Sequence, residues 1–235
     1  MKKNRMMRLA SILLVCVLLT TSVISGTFAK YVTKAEGSDS ARVAKFGVQV
    51  QALTSIFKAS YAGNDTVSVL ADNGTDKIIA PGTTGEAVAF TISGSPEVDV
   101  KVTATLGTIS RVTLPAGEYL DYTTATVGDK YTATVYQPVK WTLKHNGTTV
   151  TGCDGVGLDA IQTYLTDTLS ADYDVEAGAF STINGTYTLS WVWAFDGNDQ
   201  EDTTLGQIAA GVESAPSGHV GTESFQFSIT VEQLD

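Results

Sequence analysis

Apolar and polar residues alternate along much of this chain. Val98, Val100, Val102, Ala104 and Leu106 hold one parity while Asp99, Lys101, Thr103 and Thr105 hold the other, which gives a strand one apolar face and one wet face. The same period of two returns in Tyr187, Leu189, Trp191, Trp193 and Phe195, and again in Phe225, Phe227, Ile229 and Val231 against Gln226, Ser228, Thr230 and Glu232. Shorter runs predict strands over 46–52, 66–70, 77–80, 87–92, 131–135 and 139–143. Strands of this type cover a core from one side. About eight or more of them predict an all-β protein, a jelly-roll-like β-sandwich. Asn73-Gly74, Asn146-Gly147 and Asn184-Gly185 lie between strand-like runs and supply the positive backbone angles that two-residue hairpin turns require.

Helical periodicity is scarce. Leu158, Ile161, Leu165 and Leu169 recur at helical spacing with Asp159 near the start, which predicts one short amphipathic helix inserted among the strands. A second, from Asp202 to Ala210, is ended by Gly211. Both are expected to act as lids over an end of the sandwich. Trp191, Trp193 and Phe195 share one strand face, either as core or as a platform for carbohydrate rings. Core is favoured, because Thr188, Ser190 and Ala194 leave the opposite face small.

The amino-terminal segment has a different pattern. Lys2, Lys3, Arg5 and Arg8 precede an uncharged run from Leu9 to Ala29 that closes on Thr27-Phe28-Ala29, the layout of an export signal with its cleavage site before Lys30. A retained anchor is the competing reading, since the run approaches the roughly 20 residues that span a bilayer. The polar stretch from Thr20 to Ser25 favours cleavage. The expected organisation is a signal peptide over 1–29, an arm over 30–40 and one β-sandwich domain over 41–235, secreted and free of the membrane once the signal is gone. Loss of four basic and no acidic residues takes the formal charge from -10 to -14, which argues against nucleic acid as a partner. Cys153 is then the single cysteine, so an internal disulfide is excluded and burial is favoured over an intermolecular thiol.

Catalytic signatures are missing from the sequence. His145 and His219 are its two histidines, far apart in the chain, and no H-E-x-x-H, G-x-S-x-G, P-loop or dinucleotide motif is present. A non-enzymatic protein without a resident cofactor is expected. Asp196, Asn198, Asp199, Glu201 and Asp202 gather hard oxygen ligands of the kind that suit calcium, although Glu201 stands where an EF-hand needs glycine. The rival reading is a solvated acidic loop in which Asp202 caps the short helix.

Two stretches carry a resemblance. Gly26-Thr27-Phe28-Ala29 runs into Lys30-Tyr31-Val32-Thr33 and, after a polar spacer, into the strand from Phe46 to Val50; Ala80-Pro81-Gly82-Thr83-Thr84-Gly85 leads into Ala87 to Ile92. Both are similar to the TasA/camelysin family of secreted biofilm-matrix fibre proteins, while Gly107 to Ala179 has no counterpart there. The resemblance implies cleavage by a dedicated signal peptidase at Thr27, Ala29 and Lys30. It also implies a subunit that polymerises by donor-strand complementation, with Lys30, Tyr31, Val32, Thr33 and Lys34 as the donated strand. Partners would be further copies of the chain and related matrix proteins. The metallopeptidase label attached to camelysin-like proteins does not transfer, because the sequence offers no zinc site. An unpaired sheet edge can accept an extended peptide in this way. Residues 30–45 carry four basic and two acidic groups, so a +2 arm would face a body of -16. Two alternatives stay open: an arm that pairs within its own sheet, and a monomeric surface adhesin or ligand-binding module.

Overall fold

The computed structural model describes residues 4, 6–7, 9–16, 43–52, 55–61, 69–195 and 197–234, and it divides into two units, Met1–Val43 and Ala44–Asp235. The described residues of the first unit up to residue 16 are helical, with Leu9, Ile12, Leu13, Leu14 and Val15 exposed. Among the described residues no helix is long and apolar enough to cross a membrane.

The second unit is an all-β sandwich. One sheet orders β1 (Val48–Ala52), β4 (Thr84–Gly94), β11 (Gly185–Trp193), β8 (Val139–His145) and β9 (Thr148–Thr149). The other orders β10 (Ala171–Tyr173), β5 (Val100–Ser110) and β12 (Ser224–Gln233), and every pairing is antiparallel. Two small hairpins stand apart from these sheets, β2 (Ser60–Tyr61) with β3 (Val69–Leu70) and β6 (Gly117–Leu120) with β7 (Lys130–Ala133). The alternating residues meet between the large sheets. Tyr187 stacks on His145 at 4.3 Å and on Phe90 at 4.4 Å, and Phe90 touches Phe227 of the opposite sheet at 5.6 Å. Trp191 and Trp193 are buried as core, whereas Phe195 lies past the end of β11 and is half-exposed.

Two helices complete the unit, α1 (Leu158–Tyr164) and α2 (Asp199–Ala209). A single π-helical turn, Leu165–Leu169, continues α1, so that Leu158, Ile161, Leu165 and Leu169 all point inward and are essentially fully buried. Rather than covering an end, this segment lies against β5 of one sheet and β8 of the other. Ser170 then completes the junction, accepting the Ala104 N–H at 2.7 Å where β10 no longer reaches β5. Arg111 pairs with Asp159 in the first turn of α1.

Turn chemistry divides the three Asn-Gly pairs. Asn146-Gly147 is the expected hairpin between β8 and β9, with φ of 49° and 80°. Asn73 instead folds its own side chain onto the Thr75 and Asp76 amides at 2.9 Å each, closing a loop away from the large sheets. Asn184-Gly185 opens β11 after a short 3-10 turn. There a side chain at Gly185 would run into the Asn146 amide, whose Oδ1 accepts the Thr186 N–H at 3.0 Å. The Asn146 amide is thus spent on the fold, while Asn184 Nδ2 donates to the Gly94 carbonyl at 2.8 Å and its Oδ1 is buried without a partner among the described residues. The strand expected at 77–80 reduces to one bridge, Ile78 with Lys58.

Candidate assembly groove

One row of inward-facing side chains is covered unequally. On β5, Val102, Ala104 and Leu106 are 0, 0 and 1 % exposed. Their cross-strand partners Val231, Ile229 and Phe227 on β12 face the same interior and are only partly buried, as is Phe225. Neighbours on one face of one sheet differ this way when something covers the first row and stops short of the second. The second sheet repeats the contrast: Ile92 on β4 is 0 % exposed, whereas its partner Val50 on β1 is 37 % exposed.

These rows belong to the two edge strands. Among the described residues β12 pairs with β5 alone and β1 with β4 alone, and the two strands lie side by side, with Cα atoms within 8 Å at several positions. Each therefore offers one side of amides and carbonyls without a ladder partner. This flank joins partly buried apolar side chains to edge backbone groups, the chemistry that an added strand uses. Phe57 packs at the Phe225 end, 6.3 Å from its ring, and touches Trp141 and Trp191 as well.

One polar side chain anchors this flank, and a second lies buried elsewhere. Glu223, just before β12, accepts the Val112 N–H at 2.8 Å and the Trp141 Nε1–H at 3.0 Å, so one carboxyl group ties the start of β12 to both sheets. Burial pushes its pKa up to about 7, against the pull of those two hydrogen bonds and of Arg111. Asp202 is a second inward carboxyl, 9 % exposed, whose Oδ1 accepts the Tyr136 hydroxyl at 2.7 Å and the Trp193 Nε1–H at 2.9 Å. Burial raises its pKa, opposed by the two hydrogen bonds and reinforced by Glu201 and Asp199.

The expected site residues are distributed unevenly. Thr27, Ala29, Lys30, Tyr31, Val32, Thr33 and Lys34 lie outside the described residues, as does Asp196. Asn198, Asp199, Glu201 and Asp202 do not form a loop: α2 begins three residues earlier than its periodicity suggests, with Asn198 as N-cap and the other three in its first turns. Asp202 is buried inside the helix and neither caps it nor lies in solvent. Among the described residues no three His, Cys, Asp or Glu side chains gather as a metal would need. Cys153 is buried, and burial pushes its thiol upward. Glu223 was not foreseen, since a lone acidic residue ahead of an alternating run gives no sequence sign of burial.

No family model, no characterised protein and no solved structure matches this chain.

Proposed function

We propose that the protein is the structural subunit of an extracellular fibre of the biofilm-matrix type, in which the amino-terminal strand of one copy completes the open flank of the next. One observation carries the reading: the partly buried row Phe225, Phe227, Ile229 and Val231 on an edge strand, beside β1 with its exposed Val50. An incoming strand that pairs with β12 would bury that row and satisfy its edge amides together. Tyr31 and Val32 are residue types that favour strands, and Glu36, Gly37, Ser38, Asp39 and Ser40 have the polar composition of a spacer. In this reading the chain is secreted, cut after Ala29, jelly-roll-like in its wiring and non-catalytic.

The test compares residues 30–235 with residues 41–235. The longer form is expected to give filaments by negative-stain microscopy, and the shorter to stay folded by circular dichroism, monomeric, and able to bind a peptide of residues 30–40. Normal filaments from the shorter form would refute donation by this arm. Unfolding or aggregation of the shorter form would show instead that the arm completes its own sheet. Mass spectrometry of secreted protein is expected to find Lys30 as first residue; a start at Met1 or beyond Gly37 would remove the arm from the scheme.

A monomeric ligand-binding module is the second reading, and a cavity beside α2 is the observation that favours it.

A further inference from the structure

Away from β1 and β12, the structure holds a cavity of about 530 Å³ between the 79–81 strap, one face of α2 and the 215–221 loop. Sites for small organic ligands have this size, mostly apolar walls and a few placed polar groups. Ile79, Pro81, Val112, Leu205 and Ile208 supply the apolar wall, with the Trp193 indole beside them. Gly206, Ala209 and Gly221 are exposed and set the rim, so the space is reached from solvent.

Its polar side chains are unusual in kind. Asp202 and His219 are the titratable groups on the wall, and no Lys or Arg is among the described residues that line it. Asp202 is more than nine-tenths buried, and both of its donors, Tyr136 and Trp193, go to Oδ1. Among the described residues Oδ2 receives no hydrogen bond and no cation pairs with this carboxyl. His219 sets its Nδ1 against the Thr113 carbonyl at 3.1 Å, a contact that places a proton on Nδ1. Among its described residues the wall therefore presents the Asp202 carboxyl and no Lys or Arg. Tyr136 and Trp193 satisfy Oδ1, and Oδ2 is open to a donor that a ligand could bring.

We infer that this cavity binds a small organic amine, its ammonium group on Asp202 Oδ2 and its apolar stem against Ile79, Leu205, Ile208 and the Trp193 ring. An ammonium group donates to the free carboxyl oxygen, and the neighbouring Asp199 and Glu201 add to the negative potential that Asp202 feels. Length has room as well. A second cavity of about 380 Å³ shares Ile79, Ala209 and Gly221 with the first and ends on Glu223 and Lys77, so a longer stem can continue along the same cleft. The inference is independent of fibre assembly, since no residue of the amine site lies on β1 or β12.

The probes are n-hexylamine, n-hexanol and hexanoate, titrated into the purified protein and read by calorimetry and by tryptophan fluorescence, for which Trp193 is the reporter on the wall. Hexylamine is expected to bind, hexanol about tenfold or more weaker, and hexanoate not at all. Asp202→Asn keeps the shape of the side chain and removes its charge. It should abolish the preference for hexylamine over hexanol while hexanol binding survives, which also shows that the variant is folded. Gly206→Phe addresses location: a Cβ there meets nothing within 4 Å and its φ is not positive, so the ring can fill the mouth of the cavity without disturbing the core. Both ligands should be lost in that variant. The inference is wrong if hexylamine shows no binding at millimolar concentration, or binds no better than hexanol. It is equally wrong if the preference persists in Asp202→Asn, or if binding survives Gly206→Phe.

Discussion

The two flanks of the sandwich solve one problem in opposite ways. Where β5 meets β8, the gap between the sheets is filled from within the chain by α1 and the π-helical turn, whose Leu158, Ile161, Leu165 and Leu169 are essentially fully buried. Where β12 meets β1, inward side chains of the same apolar type are half-covered and, among the described residues, both strands keep an unpaired edge. Burial of a leucine or isoleucine contributes roughly 1.5–3 kcal/mol when complete, so the closed flank holds the domain together and the open flank leaves part of that energy available. In the proposed reading, stability and association are thereby assigned to different sides of one core.

The largest effect is expected on the closed flank. Leu165→Ala removes a side chain with no solvent exposure and should lower the unfolding free energy by about 3 kcal/mol in urea denaturation, with little change in any assembly that survives. A cost below about 1 kcal/mol would show that the helical plug is loosely packed and would erase the contrast.

Next in size is the pH response of Glu223, the polar tether of the open flank. Its folded-state pKa of about 7 stands above the ordinary value of 4.5, so folding takes up a proton between those limits. The stabilisation is complete below about pH 4.5 and is lost as pH rises through 7, a fall on the order of 2 kcal/mol for so buried a group. Stability measured from pH 5 to 8 should decline accordingly in the native chain, and Glu223→Gln should flatten that part of the profile. An unchanged slope in the variant would place the titration elsewhere.

Ile229→Ala is the matching change on the open flank. Because its side chain is only partly covered, the monomer should lose about 1 kcal/mol, clearly less than at Leu165, while filament yield or binding of the 30–40 peptide drops sharply. Equal losses at the two positions would mean that the flanks do not differ. The smallest effect belongs to Ser228→Ala on the outer face of the same strand, exposed and expected to stay within about 0.5 kcal/mol, with assembly intact.

Much of the core could be read from spacing alone. The alternations at 98–106, 187–193 and 225–231 became β5, β11 and β12, because a period of two forces one parity to one face of a sheet. Leu158 to Leu169 showed its helical repeat as plainly. The candidate sites were less visible. The acidic run at 198–202 reads as a loop because Asp and Asn favour turns, yet Leu205 and Ile208 pack inward and draw the preceding residues into the first turns of α2. Asn73-Gly74 and Asn184-Gly185 carry hairpin chemistry without a hairpin, since a turn signal specifies a local angle and not which strands flank it.

By itself, then, the sequence determined the inward parity of the three long strands and that the domain is all-β, because side-chain parity is a local property of an extended backbone. Only the tertiary structure decided how well each inward face is covered. Phe227 and Leu106 are cross-strand partners of similar apolar character, and no local pattern distinguishes the one at the edge from the one beneath its neighbours. The same holds for Asp202 and Glu223, acidic residues in polar stretches that become buried because remote elements, Tyr136 and Trp193 for one and Val112 and Trp141 for the other, close around them. Burial is a sum over contacts distant in the chain, so edges, grooves and displaced carboxyl pKa values arise only once the sheets have met.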